Sequence, residues 1–185
     1  AFVTSGVLKG ILPRMLELLL AERKRIRKEM EALDENDFMY AILDASQLAC
    51  KLLANSAYGM CGATESFGYC PEIAAMVTAL GRLIIKETRD IVVAEFSPER
   101  GYPFRTKVIY GDTDSIFPKL CSLPGQPRIS IDDAAMWGKK MAAFVVAHFR
   151  AKYGARPDNV LIIVLEKVFS KLILYAKKRY TGWKW

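Results

Sequence analysis

The chain has 185 residues, 52% of them hydrophobic, which is enough apolar material for one sizeable core or two small ones. It holds no run of about 18 apolar residues, and its first residues lack the basic start and small-residue cleavage site of a secretion signal, so it reads as intracellular, with no membrane span. A formal net charge of +7 favours an acidic partner such as nucleic acid, and the four cysteines, with no CxxC pair and the single His148, read as reduced thiols rather than a zinc site.

The apolar positions Leu8, Ile11, Leu12, Met15, Leu16, Leu19, Ile26, Met30 and Leu33 recur at helical spacing and predict a helix over 7–33. That helix carries the basic run RKRIRK, residues 23 to 28. DEND (34–37) predicts a turn, and a second helical pattern runs from Phe38 to about Tyr58, making an antiparallel helical hairpin. Pro71 opens a third helix that continues through Ile91. After the breaker-rich SPERGYP (97–103) the period changes. Strands are predicted over 106–110 and 115–120, around a tight turn at 111–114. LPGQP (123–127) is a loop. Ser130, three residues before Asp133, caps a fourth helix that reaches about Tyr153, and strands over 160–165 and 172–175 close the chain. The fold class is α+β, a helical hairpin followed by an antiparallel sheet with helices packed on it.

Chemistry concentrates in four stretches. In VIYGDTDSIF (108–117), Asp112 and Asp114 put negative charge at the turn of an apolar hairpin, which is costly without a compensating cation. Carboxylate oxygens are hard ligands suited to Mg²⁺, whereas the bland alternative is an Asx-type turn in which they only bond local backbone. In KLLANSAYG (51–59), Lys51, Asn55 and Tyr58 share one helix face. A cation, an amide and an aromatic hydroxyl on one stripe suit a nucleotide, with Gly59 allowing close backbone approach. The alternative is a solvated face with a glycine stop. In the basic run, Arg23 and Arg27 share a face one turn apart and offer phosphate-binding forks, against a reading as a solvated face balanced by Glu22, Glu29 and Glu31. In AKKRYTG (176–182), Lys177, Lys178 and Arg179 could grip a phosphate backbone, or simply protect a strand edge. Glu166 could support a metal or pair with Lys167.

The pieces GILPRMLELLLAERK, KLLANSAYG, YGDTDS, and EKVF followed by KKRYTG stand in an order and spacing that resemble family B DNA polymerases, over nearly the whole chain. KLLANSAYG corresponds to that family's motif B and YGDTDS to its motif C. The resemblance implies helical-hairpin fingers over 1–63 inserted on an antiparallel-sheet palm over 64–185. It implies template-directed DNA synthesis in replication, with two Mg²⁺ ions, primer-template DNA and dNTPs, and a processivity factor that engages regions of the enzyme not in this chain. Asp114 becomes a catalytic metal ligand, with Asp112 beside it. Arg23, Arg27 and Lys51 meet the triphosphate, and Asn55 lines the same pocket. Tyr58 checks the minor-groove side of the new pair, and Gly59, Lys177, Lys178, Arg179 and Tyr180 lie along the primer-template. The family often has lysine where Arg27 stands. Motif A, with another metal-binding aspartate and the sugar-discriminating residue, is expected upstream, together with an exonuclease domain, so this segment alone is expected to be inactive. The motif wording suits a eukaryote or a large DNA virus, with the leaning to a virus, and a nucleus or viral replication site as the compartment. The rival readings are another palm-type nucleotidyltransferase and a non-catalytic basic nucleic-acid-binding module.

Overall fold

Why the chain turns where it does is set by a few capping and breaking residues. The computed structural model describes residues 8–154 and 161–185. Gly10 precedes helix α1 (Ile11–Met30), whose first turn holds Pro13 where no intrahelical donor is needed. Asp37 caps α2 (Phe38–Gly62), its carboxylate accepting the Met39 N–H at 2.8 Å. α3 (Pro71–Glu95) starts on its proline, and Ser130 caps α4 (Ile131–Tyr153) by accepting from the Asp133 N–H. Two antiparallel pairs complete the fold: β1 (Phe104–Asp112) with β2 (Ser115–Ser122), and β3 (Phe169–Ala176) with β4 (Arg179–Lys184). Among the described residues no helix is long and apolar enough to cross a membrane.

The chain divides into two compact units, residues 1–78 and 79–185. In the first, α1 packs on α2 as the predicted hairpin, with Ile26, Met30, Ala57 and Cys61 buried. Leu12, Met15, Leu16, Leu19 and Leu33 of the apolar stripe are partly covered, but Leu8 and Ile11 are exposed. They stand before and at the first residue of α1.

In the second unit the core joins Val92 and Phe96 at the end of α3, Phe104 on β1, and Met141, Val145 and Phe149 on α4. Tyr102 and Trp137 extend it as edge-to-face rings 5.3 Å apart. The buried Thr106 hydroxyl donates to the Phe96 carbonyl at 2.7 Å, tying β1 to the end of α3. Glu87 on α3 holds two groups of α4, Lys152 Nζ at 2.6 Å and His148 Nε2 at 3.1 Å. The Lys152 ammonium first, with His148 adding to it, keeps the Glu87 carboxyl below the usual carboxylate range.

Two strand expectations need correction. The predicted strand over 160–165 has its first residue outside the described residues, and the remainder forms no ladder. The alternation is real, since Leu161, Ile163 and Leu165 are partly covered while Ile162 and Val164 are exposed. Apolar periodicity reports the face that packs on the core, and it cannot supply a hydrogen-bonding neighbour. Conversely, the basic stretch after Ala176 holds a turn, Lys177 and Lys178, and then the start of a further strand, β4, paired with β3.

Candidate active site

The DTD turn is built by a short bulged hairpin. β1 and β2 pair with a register shift between Val108 and Tyr110, so the strand gains an extra residue just before the YGDTDS segment. The ladder ends at Asp112 opposite Ser115, leaving Thr113 and Asp114 as the two-residue tip. Thr113 takes φ 50, a left-handed conformation uncommon outside glycine. The turn is closed by the Asp114 N–H donating to the Asp112 carbonyl at 2.6 Å and by the Ser115 hydroxyl donating to the same carbonyl at 3.2 Å. Asp112 Oδ1 accepts from the Thr113 hydroxyl at 3.1 Å.

Asp114 is exposed and Asp112 is only partly covered, so the expectation of costly, buried carboxylates is corrected. The reason is position: both stand at the open end of a two-stranded pair, beyond the core that covers Phe104 and Thr106. The compensating cation expected at such a turn comes from the chain itself. Lys178 Nζ lies 3.4 Å from Asp112 Oδ2, and the Lys178 backbone N–H donates to the Tyr110 hydroxyl at 2.8 Å. The tip of the β3–β4 hairpin therefore sits on the tip of β1–β2. Tyr180 reinforces that seat, its ring packing 5.2 Å from Phe117 and 6.2 Å from Tyr110. On its α3 side Asp112 opens into a wide cleft of about 350 Å³, whose lining includes Lys86 and Arg89. Arg89 is occupied by Asp90 at 2.6 Å.

The donor set of the turn fits a magnesium-type ion. Mg²⁺ takes one or two carboxylates and leaves its other positions to water and phosphate, and the two aspartates two residues apart at this turn supply that much. Among the described residues no group of three or more His, Cys, Asp or Glu comes together as a metal cage. Glu166 is exposed in the irregular segment before β3.

The second constellation lies in the first unit. Lys51, Asn55 and Tyr58 are all exposed on α2, while Ala57 and Cys61 are buried. At 100° per residue the exposed stripe sits about 105° round the helix from the buried one, so packing of the hairpin leaves it open to solvent. Gln47, one turn before Lys51 on the same stripe, accepts from Arg23 Nε at 3.2 Å. That bond brings Arg23 of α1 to the side of the hairpin that carries Lys51. The basic run is thereby sorted. Arg25 is held by Glu22 and Glu29, which raise its pKa further and make it a solvated ion-pair residue. Arg27 is exposed.

Three contributors were missed from sequence: Gln47, Tyr110 and Lys86. The Gln47 stripe position was available from its spacing to Lys51, and Tyr110 from its parity with Asp112 on β1. Nothing local signals that Lys178 meets Asp112 across 66 residues.

A family model described as DNA polymerase family B matches residues 1–185. The DNA polymerase delta catalytic subunit of Mesocricetus auratus is 38% identical over 181 residues, covering 98% of this chain and 15% of that protein. The corresponding subunit of Dictyostelium discoideum is 38% identical, covering 100% of this chain and 15% of that protein. The solved family B DNA polymerase of the hyperthermophilic archaeon Pyrobaculum calidifontis is similar at TM-score 0.54 and 28% identity, over 94% of this chain and 19% of that one. The chain thus spans about 15% of the length of the curated relatives it matches. Both of these delta-subunit relatives are eukaryotic, and the comparison supports family B and DNA replication rather than the leaning towards a virus. With the whole chain matched and its motifs on the elements described, this chain belongs to DNA polymerase family B.

Proposed function

We propose that this chain is the fingers-and-palm segment of a longer template-directed DNA polymerase that works in nuclear DNA replication, with fingers over 1–63 and palm over 64–185. The observation that carries the reading is the Thr113 turn, in left-handed conformation between Asp112 and Asp114, on a family B chain. The primer 3′-hydroxyl attacks the α-phosphorus of a dNTP: the new O–P bond forms, the bond from that phosphorus to the α–β bridging oxygen breaks, the hydroxyl proton passes to solvent, and pyrophosphate departs. A pair of Mg²⁺ ions, when bound, would supply positive charge to the attacking and leaving oxygens. Asp114 and Asp112 would hold those ions together with carboxylate from outside this segment.

The remaining residues bind and orient, which is most of what a protein contributes to phosphoryl transfer. Arg23, Arg27 and Lys51 bind the triphosphate, with Gln47 orienting the Arg23 guanidinium. Asn55 lines that pocket, Tyr58 reads the minor-groove side of the new pair, and Gly59 admits the backbone closely. Residues 169–185 hold five Lys or Arg and no Asp or Glu, which supports a phosphate-backbone grip by Lys177, Lys178 and Arg179, with Tyr180 fixing the hairpin. A processivity factor would engage regions outside this chain.

The test is single-nucleotide incorporation by the intact polymerase on a defined primer-template, with Mg²⁺ varied. Templated dNTP addition that requires Mg²⁺ is the predicted result. DNA binding with no Mg²⁺-dependent dNTP binding would instead identify a non-catalytic module.

A further inference from the structure

Lys178 stands where two demands meet. Its ammonium faces Asp112 Oδ2 at 3.4 Å, and its own backbone N–H is tied to the Tyr110 hydroxyl at 2.8 Å. Tyr110 is two residues before Asp112 on the same strand, so one face of β1 holds both the backbone and the charge of Lys178. Lys178 also takes φ 64. Among the described residues it and Thr113 are the two non-glycine positions with positive φ, and they occupy the tips of the two hairpins that touch. Backbone strain of this kind persists where surrounding contacts over-determine it, and here those contacts are the Tyr110 bond and the Tyr180 ring.

The side-chain exposures add direction. Lys178 is 65% exposed and Asp112 24%. A pair this open is weakly held, so the ammonium can leave without unfolding the tip, whose backbone stays fastened to Tyr110.

We propose that Lys178 is a displaceable counter-ion for Asp112, competing with the divalent metal for that carboxylate and released by metal binding to engage the primer backbone. This rests on the reading of Asp112 as a metal ligand. One carboxylate oxygen then serves two cations in turn, and the coupling is reciprocal: metal weakens the hold on Lys178, and Lys178 weakens metal. The residue acts through Asp112, as a positioning residue. It links occupancy of the metal site to readiness for DNA.

The experiment is Mn²⁺ titration of the intact, DNA-free polymerase, followed by the loss of the free-ion electron paramagnetic resonance signal. A unit charge about 5 Å from a divalent ion, screened by water and salt, shifts its affinity by roughly three- to tenfold. Lys178→Gln should therefore bind Mn²⁺ that much more tightly, and Lys178→Arg, which keeps the charge, should stay within about twofold of wild type. Tyr110→Phe, which loosens the tether and keeps the ammonium, should fall between them. A purely structural role predicts the opposite sign, because a disordered tip would bind Mn²⁺ less well. Unchanged or weaker Mn²⁺ binding in Lys178→Gln, with the stoichiometry kept, overturns the proposal. Asp112→Asn separates the two levels: if it leaves wild-type Mn²⁺ binding intact, Asp112 is no ligand, and the reading and the counter-ion role fall together.

Discussion

Replacing Lys51 and Arg25 one at a time by alanine should give opposite answers, although both are exposed cations on one helical hairpin. Lys51 stands on the open stripe with Asn55 and Tyr58, beside the Arg23 that Gln47 orients. Arg25 is already neutralised by Glu22 and Glu29. A hydrogen bond from a charged group contributes about 1.5–3 kcal/mol, and about 1.4 kcal/mol is tenfold in an equilibrium constant. Lys51→Ala should thus raise the apparent KM for dNTP by roughly 10- to 100-fold. Arg25→Ala removes exposed ion pairs only, and it should stay within about threefold. Steady-state incorporation of one correct nucleotide gives KM, and fluorescence anisotropy with labelled primer-template gives DNA affinity. DNA affinity should change little in either variant. Equal KM effects at the two positions would refute the sorting of the basic run, and a collapse of DNA affinity in Lys51→Ala with KM unchanged would refute the triphosphate role.

Three further outcomes follow from packing and charge. Phe104→Ala empties a fully buried site beside Tyr102 and Trp137 and should destabilise the second unit by about 3–5 kcal/mol, read as faster hydrogen exchange in peptides of α4. Gly182→Ala would set a Cβ 2.5 Å from the Lys171 carbonyl oxygen across the β3–β4 ladder, so the strands must part; exchange in 169–184 should rise, at a cost of about 1–3 kcal/mol. Because Lys152, then His148, depress the Glu87 carboxyl, its contribution is present above the unfolded value of about 4.5 and is lost as pH falls through the lower folded value. Glu87→Gln should therefore lower the melting temperature at pH 7 and flatten its decline on acidification below about 4.5; an unaltered acid limb would contradict that linkage.

Local signals carried most of the fold. The four helices announced themselves through period and punctuation, with Pro71 and Ser130 opening two of them as read, while Asp37, read only as the end of a turn, caps a third. β1 and β2 extend a residue or two beyond the predicted strands, because pairing continues past the point where side-chain alternation fades. What escaped was decided by partners distant in sequence. Residues 161–165 have strand periodicity without a ladder, and β4 hid inside a charge run whose partner, β3, fixes it as a strand. The site divides the same way. DTD and the Lys51 stripe were legible from spacing, whereas the Arg23–Gln47 bond and the seat of Lys178 on Asp112 arise only when separate elements fold together.

The central claim is that the Asp112–Asp114 turn holds the catalytic metal, and the most direct test is Mg²⁺-dependent primer extension by the intact polymerase carrying Asp114→Asn. The substitution keeps the size of the side chain and much of its turn chemistry while removing its charge. Extension lost by orders of magnitude, with primer-template affinity retained, is the result predicted here. Near-normal extension would mean that the turn is only a turn, and the polymerase chemistry would have to reside elsewhere.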